Sequence, residues 1–252
     1  MIRFLIVAAC GLLMSCVMMQ QKKPIKVYLI GDSTISIKET RAYPETGWGM
    51  PFVYFFDQSV TVDNRAKNGR STRTFIEEGL WQPVADNLQE GDYVFIQFGH
   101  NDEVETKKSY TPKDQYVANL SRFITEARNK KAIPVLLTPA ARRKFDGNGK
   151  IEGTHNEYSA LVRGVAQKYK VPLIDLDLKS QELLQQFGAE NSKHLFLQLE
   201  LGEHPNYPEG KDDNTHFSEL GARKVAQLVL ASIKDLKLEL ADRIVKKEVK
   251  AN

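Results

Sequence analysis

The 252-residue sequence predicts an α/β fold, a three-layer α/β/α domain built on a parallel sheet. Three observations predict it. Five short apolar runs (Val27–Ile30, Val60–Val62, Tyr93–Phe98, Ile133–Leu137 and Pro172–Leu176) have the length and composition of buried parallel strands. Amphipathic segments with helical periodicity follow several of them. No internal repeat or linker-like stretch divides the chain. Such alternation requires right-handed crossovers, which put helices on both faces of one sheet.

The first run stops at Gly31, and Asp32-Ser33-Thr34 follows. Glycine permits a sharp bend here. The bend holds the Ser33 hydroxyl at the carboxyl end of a strand, where open α/β sheets form their binding crevices. Gly-Asp-Ser also suits an ordinary turn and helix cap. Residues 35–46 read as loop. Trp48, between Gly47 and Gly49, is either an exposed aromatic platform or part of the core with the apolar short helix Pro51–Asp57.

The second run leads into a polar loop, Asn64–Thr72, whose Gly69 suits a backbone that a ligand approaches closely. Ser71 caps the helix that runs on to Gly79. The third run ends in Gly99-His100-Asn101-Asp102. Thr111-Pro112 then opens a helix with Val117, Leu120, Phe123, Ile124 and Ala127 on one face. After the fourth run, residues 140–153 make a hairpin-like excursion around Asp146-Gly147-Asn148-Gly149. Thr154 and Glu157 form a capping box for the next helix. Gly188–Lys211 reads as irregular, and Asp212-Asp213-Asn214-Thr215-His216 follows it. A last amphipathic helix begins near Ser218, and the charged end is expected to be a helical tail.

Hydrophobic content of 42% and charged content of 27% are those of an ordinary globular protein. A net charge of +3 is too small to imply a nucleic-acid partner, no basic run is interleaved with aromatics, and no such partner is expected. Arg3 followed by the apolar stretch 4–17 is a short export signal rather than a membrane span. Leu13-Met14-Ser15-Cys16 resembles a lipobox, with Cys16 the residue that would carry lipid; Cys10 leaves too little apolar sequence before it. A plainly cleaved signal and secretion is the alternative. The expected divisions are a signal and tether over 1–24, a catalytic-type domain over 25–236, and the tail over 237–252. The expected location is the periplasm or cell surface, with a lipid anchor to the membrane. The sequence is silent on oligomeric state.

The loops at Ser33, Gly69 and Asn101 follow three of the strands and open on one sheet edge if those strands are neighbours. A serine nucleophile needs a base to take its proton and donors aimed at the developing oxyanion. The backbone N–H groups of Ser33 and Gly69 and the Asn101 side-chain amide supply three such donors. Asp213 stands three residues before His216, a spacing that one helical turn brings to a common side. Asp213 can then orient the imidazole while the other ring nitrogen faces Ser33. Asp213 as a helix cap and His216 as a plain loop histidine remain the structural alternatives. A metal site from His194, His204, Asp212 and His216 is disfavoured by spacing, and no cofactor is expected.

Gly31-Asp32-Ser33-Thr34, Gly69, Gly99-His100-Asn101-Asp102 and Asp213-Asn214-Thr215-His216 occur in the order of the four blocks of SGNH (GDSL-type) hydrolases. The resemblance spans Lys26 to Leu236. Thr34, Gly47-Trp48-Gly49 and Asn206-Tyr207-Pro208-Glu209-Gly210 look like the rhamnogalacturonan acetylesterase branch. The resemblance implies a five-stranded sheet in the order 2-1-3-4-5. It implies Ser33 as nucleophile, His216 as base, Asp213 as its orienting acid, and Ser33, Gly69 and Asn101 as the oxyanion hole. It also implies a metal-independent serine esterase that removes O-acetyl groups from an acidic plant cell-wall polysaccharide or oligosaccharide. Trp48, Arg70, Arg73 and His100 are the candidate substrate contacts, with Arg65 and Lys67 beside them. Acetylated xylan or another acyl ester is the alternative substrate, and a non-catalytic carbohydrate-binding lipoprotein the alternative from another class.

Overall fold

The computed structural model describes residues 22–246. The expected signal, Cys10 and Cys16 lie outside them. Five strands form a parallel sheet: β1 (Ile25–Gly31), β2 (Val60–Asn64), β3 (Tyr93–Gln97), β4 (Ile133–Leu137) and β5 (Leu173–Ile174). Their spatial order is β2-β1-β3-β4-β5, as expected. The chain thus winds outward in both directions from β1, and the crevice forms where the direction reverses, above β1 and β3.

Strand alternation divides the core in two. Val27, Leu29, Phe95, Val135 and Leu137 point to one face. There they pack under α1 (Gly49–Phe52), α6 (Leu176–Asn191) and α7 (Glu219–Asp235). Tyr28, Ile30, Val94, Ile96 and Leu136 point to the other. They meet α2 (Thr72–Glu77), α3 (Gln82–Asn87), α4 (Lys113–Asn129) and α5 (Asn156–Tyr169). Three layers follow directly from the period-2 pattern of strands buried on both sides.

Ser71 caps α2 as expected, its hydroxyl accepting from the Thr74 N–H. Neither the Thr154–Glu157 capping box nor a cap by Thr111, where Thr111-Pro112 opens the helix, forms. Thr154 accepts the Arg142 N–H instead, and α5 starts after His155. Pro112 precedes α4, and the Thr111 hydroxyl turns back to Ser109. The Gly188–Lys211 region contains structure the sequence hid. It holds β6 (Phe196–Leu199), which pairs antiparallel with β7 (Lys211–Phe217). The described part of the charged end, 237–246, packs on the domain rather than leaving it as a helical tail. Glu239–Arg243 is a 3₁₀ turn that buries Leu240 in the core, so the domain continues past residue 236. The first and last described residues meet at the amino edge of the sheet. Lys22 bonds Asp57 and the Asp242 carbonyl, and Arg243 bonds the Lys23 carbonyl. Among the described residues, no helix is long and apolar enough to cross a membrane.

Candidate active site

Ser33 lies two residues beyond β1, 8% exposed, in a turn closed by the Asp32 carbonyl accepting the Ser36 N–H. The constraint at Gly31 is space rather than bend: a Cβ there would lie 2.4 Å from the Gln97 carbonyl oxygen. Beneath the serine runs a buried chain of hydrogen bonds. The Trp48 indole donates to Gln97, the Gln97 amide to the Thr34 hydroxyl, and that hydroxyl to Asp32. His100 Nδ1 meets the other Asp32 oxygen at 3.2 Å. Burial works to raise Asp32, but His100 and the Thr34 bonds outweigh it and hold the carboxyl at about 2. Burial also pushes the His100 imidazole down to about 4, so at neutral pH it is an uncharged donor to that carboxylate.

Two expected substrate contacts are therefore corrected. Trp48 is fully buried and packs edge-on against Phe52, so it offers no platform to a sugar. His100 is 3% exposed, with its ring against His155, and supports the turn from below. Arg73 is largely committed too, bonding Glu77 and the carbonyls of Lys108 and Tyr110. Arg70 pairs with Glu78 yet still lines a cleft. Arg65 is paired with Asp63.

His216 Nε2 stands 2.9 Å from Ser33 Oγ, and its Nδ1 stands 2.8 Å from Asp213 Oδ2. The sequence reading placed Asp213 and His216 on a helical turn; the structure places them in strand β7. Phe196 pairs with Phe217 and Gln198 with Asp212, so β7 spends three more residues than β6 between those two pairs. This bulge gathers Asp213 through His216, and Asp213 Oδ1 accepts the N–H groups of both Thr215 and His216. Burial opposes ionisation of Asp213, but the bonds from His216 and Thr215 prevail and keep its carboxyl far below the usual range. An ionised Asp213 only accepts hydrogen bonds. Nδ1 must then carry the ring proton, which leaves the Nε2 lone pair facing the serine hydroxyl.

Gly69 has φ +74°, a left-handed conformation, and a Cβ there would meet nothing within 4 Å. Glycine is thus required by backbone geometry, and its open side faces a cleft of about 430 Å³. Asn101 lines the same cleft, and its Nδ2 donates to the Arg70 carbonyl at 3.1 Å, which fixes the amide and leaves its second N–H unspent. Lys107 and Lys108 line this cleft beside Arg70. Sequence reading passed over both lysines because nothing marks them as cleft residues until the loop 103–111 folds back over α2. Lys38 and Glu45, in the stretch read as plain loop, were also missed: Lys38 Nζ contacts the Ser33 carbonyl and pairs with Glu45. Of the residues weighed for a metal, His216 is held by Asp213, and His204 Nδ1 accepts the Asn206 N–H. Among the described residues, no three His, Cys, Asp or Glu side chains gather as a ligand group.

The family model described as GDSL-like lipase/acylhydrolase matches residues 29–224. Rhamnogalacturonan acetylesterase RhgT of Bacillus subtilis is 46% identical over 230 residues, which cover 91% of this chain and 98% of that protein. The crystal structure of protein YxiM from Bacillus subtilis superposes with a TM-score of 0.74 at 24% identity, over 86% of this chain and 58% of that one. Axe2, an acetylxylan esterase from Geobacillus stearothermophilus, superposes with a TM-score of 0.59 at 18% identity, over 82% of this chain and 93% of that one.

Proposed function

The chain belongs to the GDSL-like lipase/acylhydrolase family, and on that premise we propose that it is a serine esterase removing acetyl groups from rhamnogalacturonan-type pectin. One observation carries the reading: the unbroken hydrogen-bond chain Ser33–His216–Asp213, with an ionised acid at its end.

The chemistry follows from that geometry. Ser33 Oγ attacks the acetyl carbonyl carbon as its proton passes to His216 Nε2. The carbonyl electrons move onto oxygen, and the N–H groups of Ser33 and Gly69 and the free Asn101 N–H receive that charge. The Ser33 and Gly69 N–H groups have no other partner among the described residues. Collapse expels the sugar oxygen, which takes the proton from Nε2 and leaves an acetyl-serine. A water then gives its proton to Nε2 and attacks the same carbonyl. Collapse breaks the bond to Ser33 Oγ, which takes the proton back from Nε2, and frees acetic acid, which loses its remaining proton to solvent as acetate. Asp213 holds the ring in one tautomer throughout and stabilises the imidazolium of each half-reaction.

Substrate class rests on the cleft and the relatives. Arg70, Lys107 and Lys108 put cations beside the oxyanion donors, where an acidic polysaccharide would lie. The relative RhgT is named for the same substrate. Export belongs to this reading as well, because a cell-wall polymer is met outside the cell. The leader-like first residues and the lipobox at Cys16 support it. Globomycin-sensitive processing is the expected behaviour; insensitive cleavage means plain secretion.

The test is acetate release from acetylated rhamnogalacturonan, homogalacturonan and xylan, with Ser33→Ala as the blank. Preference for rhamnogalacturonan is expected. Preference for xylan keeps the chemistry and overturns the substrate. No release, together with no labelling of Ser33 by a fluorophosphonate, overturns the esterase.

A further inference from the structure

Lys38 is a lysine where no exposed charge is needed. Its side chain is wholly buried, directly behind the nucleophile. Three oxygens surround its Nζ: the Ser33 carbonyl, Asn68 Oδ1 at 3.0 Å, and Glu45 Oε1 at 2.6 Å. An ammonium has N–H donors and no lone pair, so it suits two hydrogen-bond acceptors and a carboxylate in ion-pair contact, where a neutral amine would turn its lone pair on one of them. Burial lowers the Lys38 pKa, and the carboxylates of Glu45, Asp32 and Asp213 oppose that shift.

The three contacts join three separate pieces of the site. Ser33 belongs to the nucleophile turn. Asn68 precedes Gly69, an oxyanion donor, and its Oδ1 also accepts from Ser36. Glu45 belongs to the loop before α1, which is fastened to the histidine strand by the Thr46 N–H donating to the Phe217 carbonyl. Glu45 Oε1 lies 4.0 Å from His216 Nε2, buried and with no well-aligned hydrogen bond of its own.

From this arrangement we infer that Lys38 and Glu45 are positioning residues for ester hydrolysis. Lys38 clamps the nucleophile turn to the oxyanion loop, and the Lys38–Glu45 pair keeps the field at His216 Nε2 balanced. The inference rests on the esterase reading. The other groups facing His216 are accounted for. Asp213 holds Nδ1 from β7, and Ser33 faces Nε2. Arg142 bonds the neighbouring Thr215 hydroxyl, and the Tyr207 phenol lies near Glu45 and Asp213. Among these groups Glu45 is the carboxylate within 4.0 Å of Nε2, with Asp32 and Asp213 also facing Lys38, so removing either partner of the pair changes the charge balance at that nitrogen.

The two partners then have opposite signatures. Lys38→Met leaves the Glu45 charge unopposed and moves the acid limb of the rate–pH profile up by about one unit. Glu45→Gln takes away the carboxylate nearest Nε2 while the lysine charge stays, and moves the limb down, by less because Asp32 and Asp213 still face the lysine. The double variant restores the limb, yet remains slow because the clamp is gone. Loss of the clamp is expected to cost about 10²-fold, the scale of a small misplacement of reacting groups. A merely structural pair would change stability and leave both limbs where they were.

The readout is the pH dependence of Ser33 labelling by a fluorophosphonate, which needs no choice of polysaccharide. Circular dichroism checks that each variant folds. Should Lys38→Met not fold, Glu45→Gln and Lys38→Gln carry the same comparison. Opposite limb shifts support the inference. Coincident limbs in the folded variants, or full-rate labelling without Lys38, overturn it. An unreactive Ser33 in the unaltered protein overturns the esterase reading, and this inference with it.

Discussion

Asp213 grips His216 twice: one carboxylate oxygen meets ring Nδ1 at 2.8 Å, and the other accepts the histidine's own backbone N–H at 2.9 Å. Ring tautomer and backbone position are thus set by the same side chain.

Asp213→Asn tests that grip. An amide can turn its N–H₂ toward Nδ1 and impose the wrong tautomer. Turnover should fall by about 10⁴-fold, the loss seen when a triad aspartate is so replaced. Steady-state acetate release measures it, and a loss below tenfold would remove Asp213 from the orienting role.

Asn101→Ala deletes one oxyanion donor and keeps the triad. The cost should be roughly 10²–10³-fold in kcat with little change in KM, because the bond strengthens only as charge develops. Kinetics on one acetylated substrate decide it; an effect confined to KM would make Asn101 a binding group.

Trp48→Phe separates the buried tryptophan from a sugar platform. The variant strands the Gln97 side-chain amide oxygen beneath the serine, which should cost about 1–3 kcal/mol of stability. KM for the polysaccharide should not move. Urea unfolding and KM together give the answer, and a raised KM in a fully stable variant would return Trp48 to the substrate.

His100→Asn probes pH. Burial holds His100 at about 4, below the 6.5 of an unperturbed histidine. Between those values the unfolded chain binds the extra proton, so this contribution to stability is complete above 6.5 and is lost as pH falls toward 4. Asp102, which burial raises to about 7, acts in the opposite sense across an overlapping range. The useful quantity is therefore the difference between wild type and variant. Wild type should lose about 3 kcal/mol relative to His100→Asn between pH 7 and 4. Parallel pH dependence in urea unfolding would mean that His100 charges freely in the fold.

The strands and the residues brought to the site were legible because each lies in a short contiguous signal. Val27–Ile30 is buried on both faces and so reads as unbroken apolar sequence. Other features depend on tertiary company. The loop of β7 that joins Asp213 to His216 exists only against β6, whose four residues carry little signal alone. Helix α6 was hidden by weak amphipathicity and by a kink at Gly188. Lys38 lies in a stretch that reads only as loop until Asn68 and Glu45 close around it, and Trp48 reads as either platform or core until Gln97 is placed beneath it.

Lys22 and Arg243 meet at the amino edge of a sheet whose seven-residue first strand carries Ser33 at its far end. At 3.3 Å per residue, the two poles stand roughly 20 Å apart. The described residues therefore begin and end on the side of the sheet opposite the serine. The face that carries Ser33 is left clear of both described ends, so a long polymer can cross it without meeting either.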